Sequence, residues 1–370
     1  MGLVNGALQI GRSALQSYQS ALQVVGNNIA NAGNADYTRQ TVGLSALHGS
    51  PLAEGLQPGA GVALTDLKRN LDESLENRLR AAIGELESAG ARQQYLGRVE
   101  TFFNELTGDG LSTQMSEFFA GFANVQNDPA NIGLREVTLS QGAGLASSLQ
   151  RLRGSLLSLG EEINGQIEIM VTDADRMASQ IAELNAEISA AEASRQSTAN
   201  ALRDQRDALL RDLSELFDVS VREQPDGGIN VYIGSEPLIQ GGVSRGLTTE
   251  QRTNGEFVRT TIHYGDDGST ASVGGGRIEG LITSRDEQAF GMLDELDDLA
   301  AAIIFEVNRV HADGQGLKGF TTVSGTYAVD DPTAVLNSSA AGLDFAPSNG
   351  SFFIAVADDP TGTVVAYQIG

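Results

Sequence analysis

The residues able to do chemistry are few and scattered. His48, His263 and His311 are the three histidines, and they stand in unrelated contexts, which is not the spacing of a multi-histidine metal site. His311 ends a helical pattern and reads as a cap. There is no cysteine, so disulfides, thiol catalysis and cysteine-based metal sites are excluded. Gly274-Gly275-Gly276-Arg277 has the glycine content of a phosphate loop. No Lys-Ser/Thr follows it and no strand-to-helix frame surrounds it, so it reads as a turn. The acid pairs Glu161-Glu162 and Asp297-Asp298 fall on helix faces expected to be solvated. With 48 acidic residues in the chain such pairs are inevitable. No Gly-x-Ser-x-Gly elbow is present, and the Asp-Gly pairs read as turns outside any calcium-loop spacing. These residues imply no catalytic, cofactor or metal site. The expected role is structural, not enzymatic.

Composition bounds the rest. A chain of 370 residues with 41% apolar content has room for two or three domains and can bury a core. It has no tryptophan and only 5% aromatics, so the core must rely on Ala, Leu, Ile and Val. The formal charge of −24 repels phosphate backbones and anionic lipid, which argues against nucleic-acid and membrane-surface partners. No stretch approaches the roughly 18 apolar residues of a membrane span. MGLVNGALQIGR lacks the basic segment and solid apolar core of a cleavable signal peptide. A protein with this start would leave the cell by another route.

Elements must supply the function, and the first is at the N-terminus. Val4, Leu8, Gly11, Leu15, Tyr18, Leu22, Val25 and Ile29 alternate in steps of four and three. That is a heptad stripe with Gly11 as its weak member, and it predicts one amphipathic helix about 40 Å long. The opposite face (Gln9, Arg12, Ser13, Gln16, Gln19, Ser20 and Gln23) is polar but almost uncharged. Such a helix can pack on both sides in an assembly; the alternative is an ordinary helix capping a domain core. Asn27-Asn28-Ile29-Ala30-Asn31 should end it in a turn near Asn31.

Leu75, Leu79, Ala82, Leu86 and Ala89, continued by Leu96, Phe103 and Leu106, predict a long helix over about 66–107 despite Gly84, Gly90 and Gly97. A second helix is expected over about 112–126, stopping before Asp128-Pro129, and a third over about 130–158. Ile163, Ile167, Met170, Ala174, Met177, Ile181, Leu184, Ile188 and Ala191 then form the clearest heptad run. Met170 and Met177 on that stripe read as core fillers. Residues 194–200 interrupt the run, and Leu202, Leu209, Leu213 and Leu216 resume it. Asp204, Arg206 and Asp207 read as a solvated, salt-bridged face.

From Val219 the period falls to two. Val219 and Val221, the turn Asp226-Gly227-Gly228, and Ile229, Val231 and Ile233 predict a β-hairpin. Phe257–Tyr264 predicts another strand, closed by Asp266-Asp267-Gly268. A helix is expected to return to the bundle over about 282–311. Ser351–Ala357 and Thr363–Ile369 read as strands around the turn Asp358–Gly362.

Several runs resemble one family. The N-terminal heptad helix leading into Asn27, Asn28, Ile29 and Asn31, then Tyr37, Thr38, Arg39 and Gln40, resembles the signature of bacterial flagellar rod, hook and hook-associated proteins. Tyr37-Thr38-Arg39-Gln40 is most similar to the hook-associated members, since rod and hook members usually carry Gly-Phe-Lys there. Asp36 departs from the usual glycine, mildly, because Asp tolerates left-handed backbone. Asp204-Gln205-Arg206-Asp207 with Leu209, and Phe118-Phe119 followed by Asn127-Asp128-Pro129-Ala130, are further matches. The resemblance covers roughly residues 1–315.

The fold class expected is α+β, mainly α. It comprises an N-terminal assembly helix and turn (1–40), an elongated bundle of long antiparallel helices (41–217) and a small β-rich subdomain (218–280). A helix then returns to the bundle (281–315), and residues 316–370 start a β-rich outer domain. The resemblance implies a structural subunit at the hook–filament junction, extracellular, exported through the flagellar type III apparatus with an export chaperone. Its implied partners are copies of itself in a helical array, hook protein and the next hook-associated protein. Nucleic acid and membrane insertion are not implied. Val4, Leu8, Leu15, Tyr18, Leu22, Val25 and Ile29 would form the assembly interface, pairing with a C-terminal heptad helix that the family carries and residues 316–370 do not supply. The chain therefore reads as C-terminally truncated. As a free monomer the first forty residues are expected to be mobile. Two alternatives stand beside this reading: a rod or hook protein, and a cytoplasmic coiled-coil adaptor.

Overall fold

The computed structural model describes residues 2–48, 59–103, 110–193, 199–312, 329–335, 337–343, 352–358 and 363–369. The chain divides into two units, Met1–Asp294 and Glu295–Gly370. The class is α+β and mainly α, with four small antiparallel sheets among the described residues.

Helix α1 runs over Gly2–Ala30, ending one residue before the expected turn. Strands β1 (Gln40–His48) and β2 (Gly59–Arg69) follow as an antiparallel hairpin with two register shifts. This corrects the expected helix start at 66. Residues 66–69 finish β2, and α2 occupies Glu73–Phe103. Asp72 stops the strand and caps the helix: its carboxylate accepts from the Ser74 and Leu75 amides at 3.0 and 3.1 Å.

Helix α3 spans Leu111–Asn127 and α4 spans Ile132–Glu192. At 61 residues α4 is about 90 Å long. The two helices expected over 130–158 and 163–191 are one. Gly160 lies inside this helix as a slot: a Cβ there would stand 2.2 Å from Cε1 of Phe290. Residues 194–198 of the expected break lie outside the described residues. Helix α5, Asn200–Leu216, runs back along α4, since Ala199 bonds Glu192 and Arg206 bonds Asn185. Leu156, Leu159, Ile163, Ile167, Ile181 and Ile188 of α4 form the spine of the core with Leu210 and Leu213 of α5. Each such burial contributes roughly 1.5–3 kcal/mol before entropy is set against it. Met170 and Met177 are only half-buried, and Ala191 is exposed. The fully buried line includes Val171, Ala178 and Asn185 instead, so the packed face is rotated slightly from the predicted one.

The β region begins as expected. Strands β3 (Val219–Glu223), β4 (Ile229–Ile233), β5 (Glu236–Gln240) and β6 (Val243–Ser244) form a four-stranded meander. Strands β7 (Leu247–Asn254) and β8 (Phe257–Tyr264) pair separately. Both sheets are pinned to α4 by a buried asparagine. Asn185 Nδ2 donates to the carbonyls of Ile229 and Gly241 at 2.9 and 2.7 Å, and its Oδ1 accepts from the Ile229 amide at 3.2 Å. Asn164 Nδ2 donates to Val258 O at 2.6 Å, and its Oδ1 accepts from the Thr260 amide at 3.0 Å.

The returning helix starts earlier than predicted. Helix α6 is Gly276–Thr283, a π-helical segment covers Ser284–Gly291, and α7 is Met292–Ala312. Gly276 adopts φ +79° at the start of α6, a conformation that suits glycine. The wider π turn brings Arg285 and Phe290, five residues apart, into burial together. In the second unit, β9 (Phe352–Asp358) and β10 (Thr363–Ile369) pair antiparallel. The turn expected between them, at 359–362, lies outside the described residues.

Candidate assembly interface

Helix α1 packs with the face opposite to the one an apolar stripe would choose. Ser13, Ala14, Ser17, Ser20, Ala21, Val24 and Asn28 are its covered positions. Ser17 Oγ donates to Val62 O at 3.3 Å, and the Val62 amide donates to Ser13 Oγ at 3.4 Å. Gly61 of β2, at φ +110°, allows this approach, since a Cβ there would lie 2.2 Å from Ser13 Oγ. The stripe faces outward: Leu15 is 68%, Leu22 70% and Ile29 71% exposed, and Leu8, Tyr18 and Val25 are exposed as well. The Val4 side chain lies outside the described residues.

Helix α2 repeats the pattern. The predicted stripe Leu75, Leu79, Ala82, Leu86 and Ala89 is exposed, with Leu86 at 69%. The buried face is Arg80, Gly84, Ser88, Ala91, Tyr95 and Val99. Small residues let backbones close up: a Cβ on Gly280 of α6 would stand 2.4 Å from Ser88 O. Sequence reasoning used the leucines to predict the helix and did not identify this face. The spacing of Gly84, Ser88 and Ala91 is the signal that could have shown it.

The Asn-rich turn is a hydrogen-bonded unit. Asn28 Nδ2 donates to Gln40 O at 2.8 Å, and Asn28 Oδ1 accepts from the Gln40 amide at 3.0 Å and the Tyr37 hydroxyl at 2.8 Å. Asn31 Nδ2 donates to Asn27 O at 3.0 Å. Asn28 thus mimics a strand neighbour and joins the helix end to the start of β1. Arg39 is exposed, while Gln40 is buried.

This turn meets the second run of interest. Thr38 lies near enough to Asp204 to lower its carboxyl through its amide and side chain. Arg69, from the end of β2, donates to Asp204 at 3.1 Å and also pairs with Asp207. Arg206 donates from Nη1 to Asn185 Oδ1 at 3.0 Å and Gly227 O at 2.9 Å. Asp204, Arg206 and Asp207 are all buried. The expected solvated face is instead the joint between the hairpin, α5 and the β meander. The physical reason is that Arg69 and Thr38, far away in sequence, supply the partners that make burial tolerable. Burial pushes the Asp204 carboxyl up, with Thr38 and Arg69 pulling against it. Burial also pulls the Arg206 guanidinium down to about 10.

No group of three or more metal-binding side chains exists among the described residues. Buried His263 is engaged locally, Nδ1 with Gly268 O at 3.0 Å and Nε2 with Thr261 Oγ1 at 2.9 Å. Gly274–Arg277 leads into α6, where Arg277 reaches Glu87 and Gln94 of α2. No helix among the described residues is long and apolar enough to cross a membrane.

Comparison with known families decides the affiliation. The model of the flagellar hook-associated protein FlgK helical domain matches residues 96–324, more than half of the chain. The chain belongs to the flagellar hook-associated protein FlgK family. A second model, flagella basal body rod protein, matches residues 8–33 within α1. Flagellar hook-associated protein 1 of Escherichia coli (strain K12) is 27% identical over 344 residues, covering 90% of this chain and 61% of the relative. Its Salmonella typhimurium counterpart is 27% identical over 352 residues, with 92% and 61% covered. That of Bacillus subtilis (strain 168) is 26% identical over 341 residues, with 83% and 67% covered. The chain thus spans about three-fifths of the length of the first two. The flagellar hook junction protein FlgK from Burkholderia pseudomallei aligns at TM-score 0.48 and 26% identity over 56% of this chain and 39% of that one.

Proposed function

We propose that this chain is the body of a structural subunit joining the flagellar hook to its filament, and that it works by packing. The observation that carries the reading is the outward-facing stripe of α1. Six apolar side chains from Leu8 to Ile29 stand in solvent on a helix whose polar face is already engaged by its own hairpin. Contiguous exposed apolar surface on a folded chain marks an interaction site. Leu75, Leu79 and Leu86 on α2 add a second such surface. The partners of this reading are further copies of the chain, hook protein on one side and the next hook-associated protein on the other. Delivery is by the flagellar type III apparatus, with an export chaperone. Membership in the FlgK family favours this over a rod or hook protein and over a cytoplasmic adaptor.

The test is made in the bacterium that encodes the chain. Immunogold labelling and mass spectrometry of sheared flagella should place the protein at the hook–filament boundary. A variant with Leu15→Asp and Leu22→Asp should be exported into the medium but not incorporated. Recovery of the wild-type protein from cytosol alone would refute the junction reading, and normal incorporation of the double variant would refute the role of the stripe.

A further inference from the structure

The segment before α2 is a unit of its own. Helix α1 is bonded to its hairpin at Ser13, Ser17 and Asn28, and β1 and β2 pair along their length. Among the described residues no element of this arm packs broadly on an element of the body that follows. The chain passes from arm to body at Leu71. Asn70 still belongs to the arm, its amide donating to Arg39 O at 2.8 Å. Asp72 already belongs to the body, capping α2 through the Ser74 and Leu75 amides.

The bonds that tie arm to body converge on one helix, α5. Asn200 Nδ2 donates to Leu67 O at 3.0 Å, and Asp204 accepts from Arg69 at 3.1 Å. Asp207 pairs with the same guanidinium, and Arg211 stands 3.5 Å from Asp36. Asn200, Asp204, Asp207 and Arg211 step by four, three and four, so they form a single stripe along the helix. Their partners come from two places on the arm, Asp36 from the turn between α1 and β1, Leu67 and Arg69 from the end of β2. Arg211 is shared, because it also reaches Glu76 of α2 at 3.3 Å. Ion pairs taken out of water gain little net stability, since desolvation offsets the attraction. Burial does push the Asp204 carboxyl up. Such a seat defines a direction strongly and a depth weakly.

We infer that the arm is a lever pivoting at Leu71, and that the α5 stripe is an ionic latch holding it in one of its orientations. Helix α1 and the hairpin swing together, because the bonds between them are internal to the arm. Release changes the angle between the exposed stripe of α1 and the body while leaving both folded. This is hinge motion absorbed by a residue between two elements. The inference concerns the free chain and does not rest on the junction reading.

The chain has no cysteine. Gln19→Cys on α1 and Ser179→Cys on α4, both exposed, therefore place two nitroxide labels in the full chain with no further change. Double electron–electron resonance then reads the distance between arm and body. The latched chain should give a single narrow peak. Asp204→Asn with Asp207→Asn should lose that peak to a broad distribution, while amide exchange within α1, β1 and β2 stays as in wild type. Arg98→Gln, which breaks an ion pair inside the body, should keep the narrow peak. An unchanged narrow peak in the Asp204 and Asp207 double variant would overturn the latch, and so would a broad one in the wild type. A broad peak accompanied by lost exchange protection within the arm would overturn the lever, because the arm would have unfolded and not swung. Should the double variant fail to fold, Arg69→Gln, a change on the arm side, decides by the same peak: broadening supports the latch and a narrow peak overturns it.

Discussion

Asn164 and Asn185 stand three heptads apart on α4, and each makes the same clasp. One asparagine amide bonds a β-strand backbone on both its carbonyl and its amide side. The same Oδ1 also receives an arginine, Arg285 at 3.0 Å in one case and Arg206 at 3.0 Å in the other. Each arginine then reaches a backbone carbonyl of the sheet it helps to hold, Thr260 O at 2.8 Å and Gly227 O at 2.9 Å.

Removing either amide orphans several buried donors at once. Asn164→Ala and Asn185→Ala should each destabilise the first unit by about 3 kcal/mol in urea unfolding. The sites are about 30 Å apart along the helix, so the double variant should show additive losses. A strongly sub-additive result would mean that the two sheets do not detach independently.

Two helical glycines should respond in opposite directions. A methyl group at Gly160 meets the Phe290 ring, so Gly160→Ala should cost about 1–3 kcal/mol. Gly97 has open space around its Cβ position, so Gly97→Ala should stabilise by up to about 1 kcal/mol. Thermal unfolding of the two variants side by side checks both signs.

Acid sensitivity should have one identifiable source in Glu192. The Arg203 side chain holds its carboxyl below the usual glutamate range. A depressed folded-state value stabilises above the unfolded-state value and loses that contribution as pH falls through the folded one. Glu192→Gln should therefore lower stability by about 1–2 kcal/mol near neutral pH, and its difference from wild type should shrink towards zero on acidification. Asp204, raised by burial, works in the opposite sense. Its contribution is present at low pH and lost as pH rises through its folded-state value, so Asp204→Asn should flatten the profile at its other end.

The exposed stripes should be dispensable for folding. Leu79→Asp with Leu86→Asp on α2 should leave Tm within about 2 °C of wild type, because surface changes are usually within ~0.5 kcal/mol. Sedimentation at high protein concentration should show weaker self-association of the same variant. By contrast, Ser17→Leu on α1 should loosen the helix from its hairpin, read out as faster amide exchange across both.

Much of the architecture was legible from periodicity. The α1 stripe, the β3–β4 hairpin, strand β8 and the final two strands fall where alternation or heptads place them. The failures share a cause. A leucine stripe reports an amphipathic helix, but not which face its own chain will cover. On α1 and α2 the covered faces are small and polar because hydrogen bonds and close backbone approach, not apolar area, hold them. Asp204, Arg206 and Asp207 looked solvated because Arg69 and Thr38 could not be seen from the local run.

The seam between α1 and β2 has a geometric consequence. A greasy contact lets a helix roll about its own axis at little cost. The bonds that Ser13, Ser17 and Asn28 make to the backbone at Val62 and Gln40 have direction, and rolling breaks them together. The hairpin therefore acts as a rotational key. It fixes the azimuth at which the leucines face outward, as the proposed assembly of identical copies by a single screw operation would require.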